Sequence, residues 1–180
     1  MIVAPPALRR AVWFMKYTLA RPGEMRGLRW REVDLAGRVV RLSRFKCMHK
    51  RRDGVRERVI PLVALVVRYL SWLKSRTRPD PDDFVYLNAW SRPWTMNMFR
   101  LAMHRACEEA GINDDPNGER IVAYSLRHTG ATEATRQGIR DRTLADIMGH
   151  TSTNTTARYQ HLDKTDLIDA LERSMRNQRR

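Results

Sequence analysis

Residues 38–60 read RVVRLSRFKCMHKRRDGVRERVI, and this stretch distinguishes the chain from an all-helical protein. Its first part, RVVRLSRF, alternates apolar and polar residues and is rich in β-branched side chains, as β-strands are. Asp53-Gly54 is typical of a tight hairpin turn, and Val59-Ile60 can form the returning strand. The stretch therefore predicts an antiparallel β-hairpin.

Positive charge is concentrated on the same hairpin. The chain has 34 Lys and Arg against 20 Asp and Glu, a net +14. Residues 38–58 carry half of that excess, because nine basic side chains there face only Asp53 and Glu57. A basic surface favours a polyanionic partner, nucleic acid first and an anionic membrane second, although charge can also serve solubility alone. The clustering favours a surface that contacts phosphates. The nine are Arg38, Arg41, Arg44, Lys46, Lys50, Arg51, Arg52, Arg56 and Arg58.

Helices are predicted on both sides of the hairpin. Apolar residues at helical spacing predict a helix over 7–20, and Pro22 can open a short second one. Pro61 can start the helix that follows the hairpin, and DFVYL at 83–87 can form a short strand. Further helices are expected to start at N-caps and end at glycines, with a last amphipathic helix at about 165–176. The caps are Thr95, Ser125 and Asp141, and the stops are Gly111, Gly138 and Gly149.

These elements predict one domain over residues 1–180, mainly α with a small antiparallel β-sheet (α+β). Cys47 and Cys107 lack the spacing of a disulfide framework or a zinc site, so we expect a reducing cytosol and no metal. The longest apolar run, VIPLVALVV at 59–67, is too short to span a bilayer. A soluble protein is expected, with its five tryptophans in the core.

A tyrosine in a polar segment indicates a possible reaction. Residues 150–162 read HTSTNTTARYQHL, a stretch that buries little and yet contains Tyr159 between Arg158 and His161. A phenol oxygen can attack a phosphodiester and hold the phosphate covalently, which needs no cofactor. The charge that develops on phosphorus must be matched by fixed cations, and guanidinium groups suit this best. Two arginines from separate segments are expected.

Three segments carry a resemblance to a known family. YTLARPGEMRGLRWREVDL (17–35) is similar to T-G-x-R-x-x-E followed by L-x-W-x-D, with Leu19 where glycine is usual. AYSLRHTGATEATRQGI (123–139) resembles the H-x-L-R-H-T-x-A-T box, and MGHTSTNTTARYQHL (148–162) completes the pattern. Arg127 precedes His150 by 23 positions, and His150 precedes Tyr159 by nine. The chain resembles the catalytic domain of the tyrosine recombinases, the phage integrase family.

The resemblance implies an active site without metal or cofactor. Tyr159 would form a 3′-phosphotyrosine, and Arg21 and Arg127 would clamp the non-bridging oxygens. His150 would hydrogen-bond the phosphate and could also accept the tyrosine's proton, and Lys46, with Lys50 as the alternative, would protonate the leaving 5′ oxygen. Tyr124 stands where histidine is usual; its hydroxyl can contact phosphate but cannot carry positive charge.

Supporting and DNA-binding roles follow from the same resemblance. Glu24 would orient Arg21, and His161 would serve either in a supporting shell or as a helix cap. The backbone contacts would come from Arg44, Lys50, Arg51, Arg52 and Arg158. The 165–176 helix would pack on its own domain or dock on a neighbour in a tetramer on double-stranded DNA.

The function implied is that of a cytoplasmic, nucleoid-associated DNA recombinase or integrase, bacterial or phage-encoded, from a mobile element. The sequence is also compatible with two other functions: a type IB topoisomerase-like nicking-closing enzyme and a catalytically impaired DNA-binding module. Only about twenty residues precede Arg21. The family's separate N-terminal core-binding domain is therefore expected to be absent from this chain, leaving an isolated or truncated catalytic domain.

Overall fold

In the computed structural model, residues 4–43, 57–112, 121–137 and 139–149 are described, with Ile168, Leu171, Glu172, Met175 and Arg176. Helices surround a small sheet, which confirms the predicted fold class. Within the described part of the chain, no helix is long and apolar enough to cross a membrane. The elements are α1 (Pro6–Thr18), α2 (Pro22–Gly27), a 3-10 turn (Trp30–Glu32), β1 (Val33–Asp34), β2 (Val39–Leu42), β3 (Arg58–Pro61), α3 (Ala64–Thr77), α4 (Met96–Glu109), α5 (Ala123–Arg136) and α6 (Asp141–Met148).

The sheet is antiparallel, in the order β1-β2-β3. Val39 faces Pro61 and Leu42 faces Arg58 across the β2–β3 pair, so the predicted pairing of the two strands is confirmed. The predicted turn at Asp53-Gly54 lies outside the described residues. The two-residue strand β1 was not predicted, because two residues are too short to show alternation.

Pro61 ends a strand and does not begin a helix, so that prediction was wrong. A proline can occupy the end of a strand because the N–H that it lacks is not needed there. The next donor, the Leu62 amide, bonds the Arg38 carbonyl at 2.8 Å and extends the pairing by one step. Helix α3 begins only at Ala64. The strand predicted at 83–87 is likewise reduced to isolated bridges, such as Arg29 with Phe84.

Helix ends follow the polar and glycine signals closely. Thr95 caps α4, its hydroxyl accepting the Met98 amide at 3.2 Å, as predicted. Gly111 and Gly149 follow α4 and α6 with φ of 67° and 62°, a left-handed conformation that glycine adopts without strain. Gly138 lies outside the described residues.

The other two predicted caps are displaced. Helix α5 begins at Ala123, two residues before Ser125, whose hydroxyl accepts the Val122 amide at 3.1 Å from within the first turn. Asp141 is the first residue of α6, and Arg140 precedes it as the cap. A Ser or Asp within the first turn can satisfy the same free backbone donors, which is why sequence alone misplaces the start by one or two residues.

Helices α1 and α5 pack closely, and this contact positions the residues of the candidate site that follow α1 or lie on α5. Leu8, Phe14 and Met15 bury one face of α1 in the core. After α1 ends, Leu19 takes a left-handed backbone conformation with φ 53° while its side chain remains buried. It packs on Gly130 of α5, where an added methyl group would lie 2.5 Å from Leu19 Cδ2. The absence of a side chain at position 130 therefore lets α5 approach the end of α1.

The described part of the C-terminal helix packs on its own domain. Ile168 and Leu171 are buried, and Leu171 belongs to the main core. Glu172 pairs with Arg38, and its Oε1 accepts the Ala64 amide at 3.1 Å, at the start of α3. Of the two placements expected for this helix, the structure has the one on its own domain.

Two tryptophans contradict the expectation that all five lie in the core. Trp30 and Trp94 are buried, but Trp72 is 51% exposed and Trp90 is 73% exposed. Trp72 lies on α3 outside the buried stripe of Val66, Leu70 and Leu73, so helical periodicity turns it to solvent.

Candidate active site

Arg21 is held at the corner between α1 and α2. It is the N-cap residue of α2, with Pro22 at the first helical position. Glu24 accepts the Arg21 backbone amide at 2.8 Å through Oε2, and Arg21 Nη1 at 2.7 Å through Oε1. One buried carboxylate thus satisfies a free amide of the helix and fixes the direction of the Arg21 guanidinium.

The carboxyl end of α6 is surrounded by arginines. The carbonyls of residues 146–149 lie at the end of the helix, where carbonyls generally lack the regular intrahelical donor; the Asp146 carbonyl accepts the Gly149 amide at 3.0 Å. Arg58 donates to the first two, at 3.4 and 2.6 Å. Arg127 donates to the third, and Arg21 to the fourth at 2.8 Å. Three guanidinium groups from separate segments therefore converge on the negative end of one helix dipole.

Arg127 reaches this point from the first turns of α5. It is 1% exposed, and its Nη1 donates to the Leu19 carbonyl at the end of α1. Its Nε has no hydrogen-bond partner among the described residues. Arg127 thus ties α1, α5 and α6 together and keeps one N–H free.

Arg58 is the member of this group that sequence reasoning missed. It was counted in a basic surface, yet it is 3% exposed and its Nε lies 3.6 Å from Glu24 Oε1. Its Nη1 also donates to the Val59 carbonyl at 2.5 Å. A signal was present, because alternation along β3 places residue 58 on the same side as the buried Ile60.

The electrostatic balance of the site is positive. We call Arg21, Arg58, Arg127 and Glu24 the guanidinium cluster; its three cations and one carboxylate leave a net +2. Burial lowers the pKa of Arg58 to about 10, with Glu24 opposing the shift and the charges of Arg21 and Arg127 adding to it. Burial and then Arg21 also lower the pKa of Arg127. Each guanidinium disfavours the charge of its neighbours, so an anion bound here would be stabilised.

An open cleft of about 800 Å³ lies beside the cluster. Arg21 and Glu24 line it on one side, and Tyr124 on α5 lines it on another. The Tyr124 ring is 41% exposed and packs edge-on against His128, with ring centroids 4.8 Å apart. The cleft gives solvent a route to Arg21, whose side chain is 19% exposed.

A family model described as the phage integrase family matches residues 5–166. The chain belongs to the phage integrase family. The resemblance found in its three signature segments is therefore confirmed.

Named relatives of this integrase-family chain are recombinases. The tyrosine recombinase XerC of Actinobacillus pleuropneumoniae is 30% identical over 145 residues, covering 79% of this chain and 43% of that protein. A crystal structure of XerA recombinase superposes with a TM-score of 0.61 at 25% identity, covering 97% of this chain and 57% of that one. Lambda integrase, as a dimer bound to a core site, gives 0.62 at 19% identity, covering 88% and 55%. The chain spans about half the length of these relatives.

The structure of this integrase-family chain brings Arg21, Glu24 and Arg127 together and places Tyr124 on the adjoining cleft. His150 follows Gly149, the residue whose carbonyl holds Arg21. The other predicted site residues lie outside the described part: Arg44, Lys46, Lys50, Arg51, Arg52, His150, Arg158, Tyr159 and His161.

The described part of the basic stretch differs from the expected phosphate surface. Arg38 pairs with Glu172, Arg41 lies 3.3 Å from Glu57, and Arg58 pairs with Glu24. Carboxylates therefore neutralise these three arginines in part. Any excess positive charge on the hairpin must come from its other basic residues.

Proposed function

We propose that residues 1–180 form the catalytic domain of a site-specific DNA recombinase that cleaves and rejoins strands through a 3′-phosphotyrosine at Tyr159. One observation carries the proposal: Arg21 and Arg127, far apart in sequence, donate to consecutive carbonyls at the end of α6. That end leads directly to His150 and, nine residues later, to Tyr159. The arginine pair, the histidine and the nucleophile would thus surround one phosphate.

The cluster suits a phosphate that gains charge during reaction. Its net positive charge is partly buried, where electrostatic interactions are stronger than in water. The free Nε of Arg127 supplies a donor that an anion could satisfy. Arg21, reached through the cleft, would contact the phosphate first, and Glu24 would keep its guanidinium from rotating away.

The remaining roles complete a transesterification. Tyr159 attacks the scissile phosphorus, forming the phosphotyrosine bond as the bond to the 5′ oxygen breaks. Lys46, or Lys50 in its place, gives that oxygen a proton. His150 hydrogen-bonds the phosphate and can also take the tyrosine's proton. Tyr124 contributes a hydroxyl contact, and His161 supports the site. Arg44, Lys50, Arg51, Arg52 and Arg158 would contact the DNA backbone.

Double-stranded DNA is the proposed partner, reached in the cytoplasm. Lambda integrase, a structural neighbour, was solved on a core DNA site, and the net charge of +14 suits a polyanion. Self-association on DNA would use the C-terminal helix, which would then leave its place against Arg38 and α3 for a neighbour.

Covalent trapping tests the proposal. A pool of nicked duplexes with randomised sequence is incubated with the protein, and DNA that stays attached under denaturing conditions is recovered and sequenced. We expect an adduct at an enriched sequence, lost in Tyr159→Phe and kept in Tyr69→Phe. Tyr69 is the matched control because its hydroxyl has no hydrogen-bond partner within the described structure. Adducts that persist in Tyr159→Phe would exclude Tyr159 as the nucleophile. If the unsubstituted protein formed no adduct, the chain would be a DNA-binding module without cleavage activity.

A second assay separates recombination from relaxation. The recovered sequence is placed twice in a supercoiled plasmid, and products are scored for exchange between the copies. Exchange products identify a recombinase. Relaxed circles without exchange identify a nicking-closing enzyme with the same covalent chemistry.

A further inference from the structure

Arg58 connects parts of the chain that are remote in sequence. It lies at the start of β3, and its guanidinium contacts Glu24 of α2 and the carbonyls of residues 146 and 147 in α6. Those residues lie 88 and 89 positions away. Arg58 therefore fixes the sheet, the Arg21 corner and the end of α6 relative to one another.

Gly149 fits closely against this side chain. A methyl group at Gly149 would lie 2.7 Å from Arg58 Cδ and 2.8 Å from its Cζ. The Gly149 carbonyl in turn accepts Arg21 Nη2 at 2.8 Å. Any displacement of Arg58 would therefore move the peptide that holds Arg21 and that precedes His150.

Arg58 also shares the carboxylate that orients Arg21. Glu24 Oε1 lies 2.7 Å from Arg21 Nη1 and 3.6 Å from Arg58 Nε. With Arg58 removed, Glu24 would retain only Arg21 among these partners, and the Ile147 carbonyl would lose its Arg58 donor, while the Asp146 carbonyl would keep the Gly149 amide at 3.0 Å. Arg58 thus lies against both groups that hold the Arg21 guanidinium, the Glu24 carboxylate and Gly149.

We propose that Arg58 is a positioning residue of the phosphate site, which sets the direction of the Arg21 guanidinium and the place of the Gly149 carbonyl. The proposal rests on the proposed function. Arg58 does not touch the phosphate; it acts through Glu24 and the end of α6. A buried arginine is a poor choice for stability alone, because an apolar side chain of similar volume avoids the desolvation of the charge.

The test compares variants of the full chain in single-turnover cleavage at saturating DNA, using the DNA recovered by trapping. Arg58→Met is expected to cleave about 100-fold more slowly, since a misplacement near 1 Å can have that effect. Its DNA dissociation constant should stay within about threefold, because the Arg58 side chain is buried and does not present its charge at the surface. Arg58→Lys should fall in between, because ammonium can pair with Glu24 but lacks the fork that spans two carbonyls. If Arg58→Met fails to fold, the comparison is made with Arg58→Lys alone.

The matched control is Arg41→Met. Arg41 lies on the neighbouring strand, opposite Val59, and also pairs with carboxylates, Asp34 and Glu57, but it is not part of the cluster. Its cleavage rate at saturation should remain that of the unsubstituted protein. A double-mutant cycle with Glu24→Gln adds a readout that a uniform loss of folded protein would not change. The fold-reduction in the cleavage rate of the double variant should be far smaller than the product of the fold-reductions of the two single variants.

Two kinetic outcomes overturn the proposal: cleavage by Arg58→Met within about threefold of the unsubstituted rate, or losses that multiply in the cycle. Side-chain NMR of arginine decides the matter even if the unsubstituted protein forms no adduct, which would count against the proposed function alone. The Arg21 Nε–H and Gly149 amide signals should shift in Arg58→Met and Arg58→Lys but not in Arg41→Met. Unshifted signals would also overturn the proposal.

Discussion

Gly149→Ala should be much more destabilising than an ordinary helix-end substitution. At φ 62°, any L-residue meets a left-handed penalty of about 1–2 kcal/mol. The added methyl would also lie 2.7 Å from Arg58 Cδ, which is part of a buried side chain held at its far end by Glu24 and two carbonyls. Displacing it forfeits at least one charge-assisted hydrogen bond, about 1.5–3 kcal/mol. The expected total is about 2.5–5 kcal/mol.

Gly111→Ala is the matched control. Gly111 also follows a helix with positive φ, 67°, but an added methyl there has no described atom within 4 Å. Its free energy of unfolding should fall only by the backbone penalty, about 1–2 kcal/mol. Urea unfolding measures both, and the difference of about 1.5–3 kcal/mol should lower the Gly149→Ala midpoint by about 1 M relative to Gly111→Ala, at a slope near 2 kcal/mol per M. Equal midpoints would refute the tight contact between Gly149 and Arg58.

Three further substitutions test other parts of the fold. Thr95→Ala removes the cap of α4 and should reduce the free energy of unfolding by about 1 kcal/mol; an unchanged urea midpoint would contradict the cap. Leu171→Ala should cost about 2–4 kcal/mol, against under 0.5 kcal/mol for the half-exposed Leu101→Ala, if the C-terminal helix packs on its own domain in solution. Glu24→Gln removes the carboxylate among three guanidinium groups and should cost about 3 kcal/mol in thermal or urea unfolding; a neutral result would mean that solvent screens the cluster.

Features set by local chemistry were predictable from the sequence. Thr95 caps a helix because its own hydroxyl reaches the amide three residues on, and Gly149 ends one because its own backbone tolerates positive φ. The strand pairing followed from alternation on both sides of a turn signal. The meeting of Arg21 and Arg127 was expected only from the family resemblance, since residues 106 positions apart carry no local signal of contact.

Features set by distant partners were not predictable in the same way. The only local signal that distinguishes Arg58 from the other basic residues of its stretch is strand alternation, which puts it on the same face as the buried Ile60. Its partners lie far away in sequence, in α2 and α6. The fixed φ of Pro61 suits the first position of a helix, but in the structure Pro61 pairs with Val39 as the last residue of β3. Trp72 is a residue type expected in the core, but it lies outside the face of α3 that the domain covers, and the choice of that face depends on distant partners.

The contact between Leu19 and Gly130 links two positions that look independent in sequence. Leu19 accepts a strained backbone where glycine would be relaxed, and its side chain fills the space that Gly130 leaves on α5. In evolutionary terms the two positions should be exchanged together. A glycine at 19 alone would open a void, and a bulkier residue at 130 alone would collide, whereas both changes together keep the volume constant. Homologues with glycine at the first position should therefore carry a larger residue at the second.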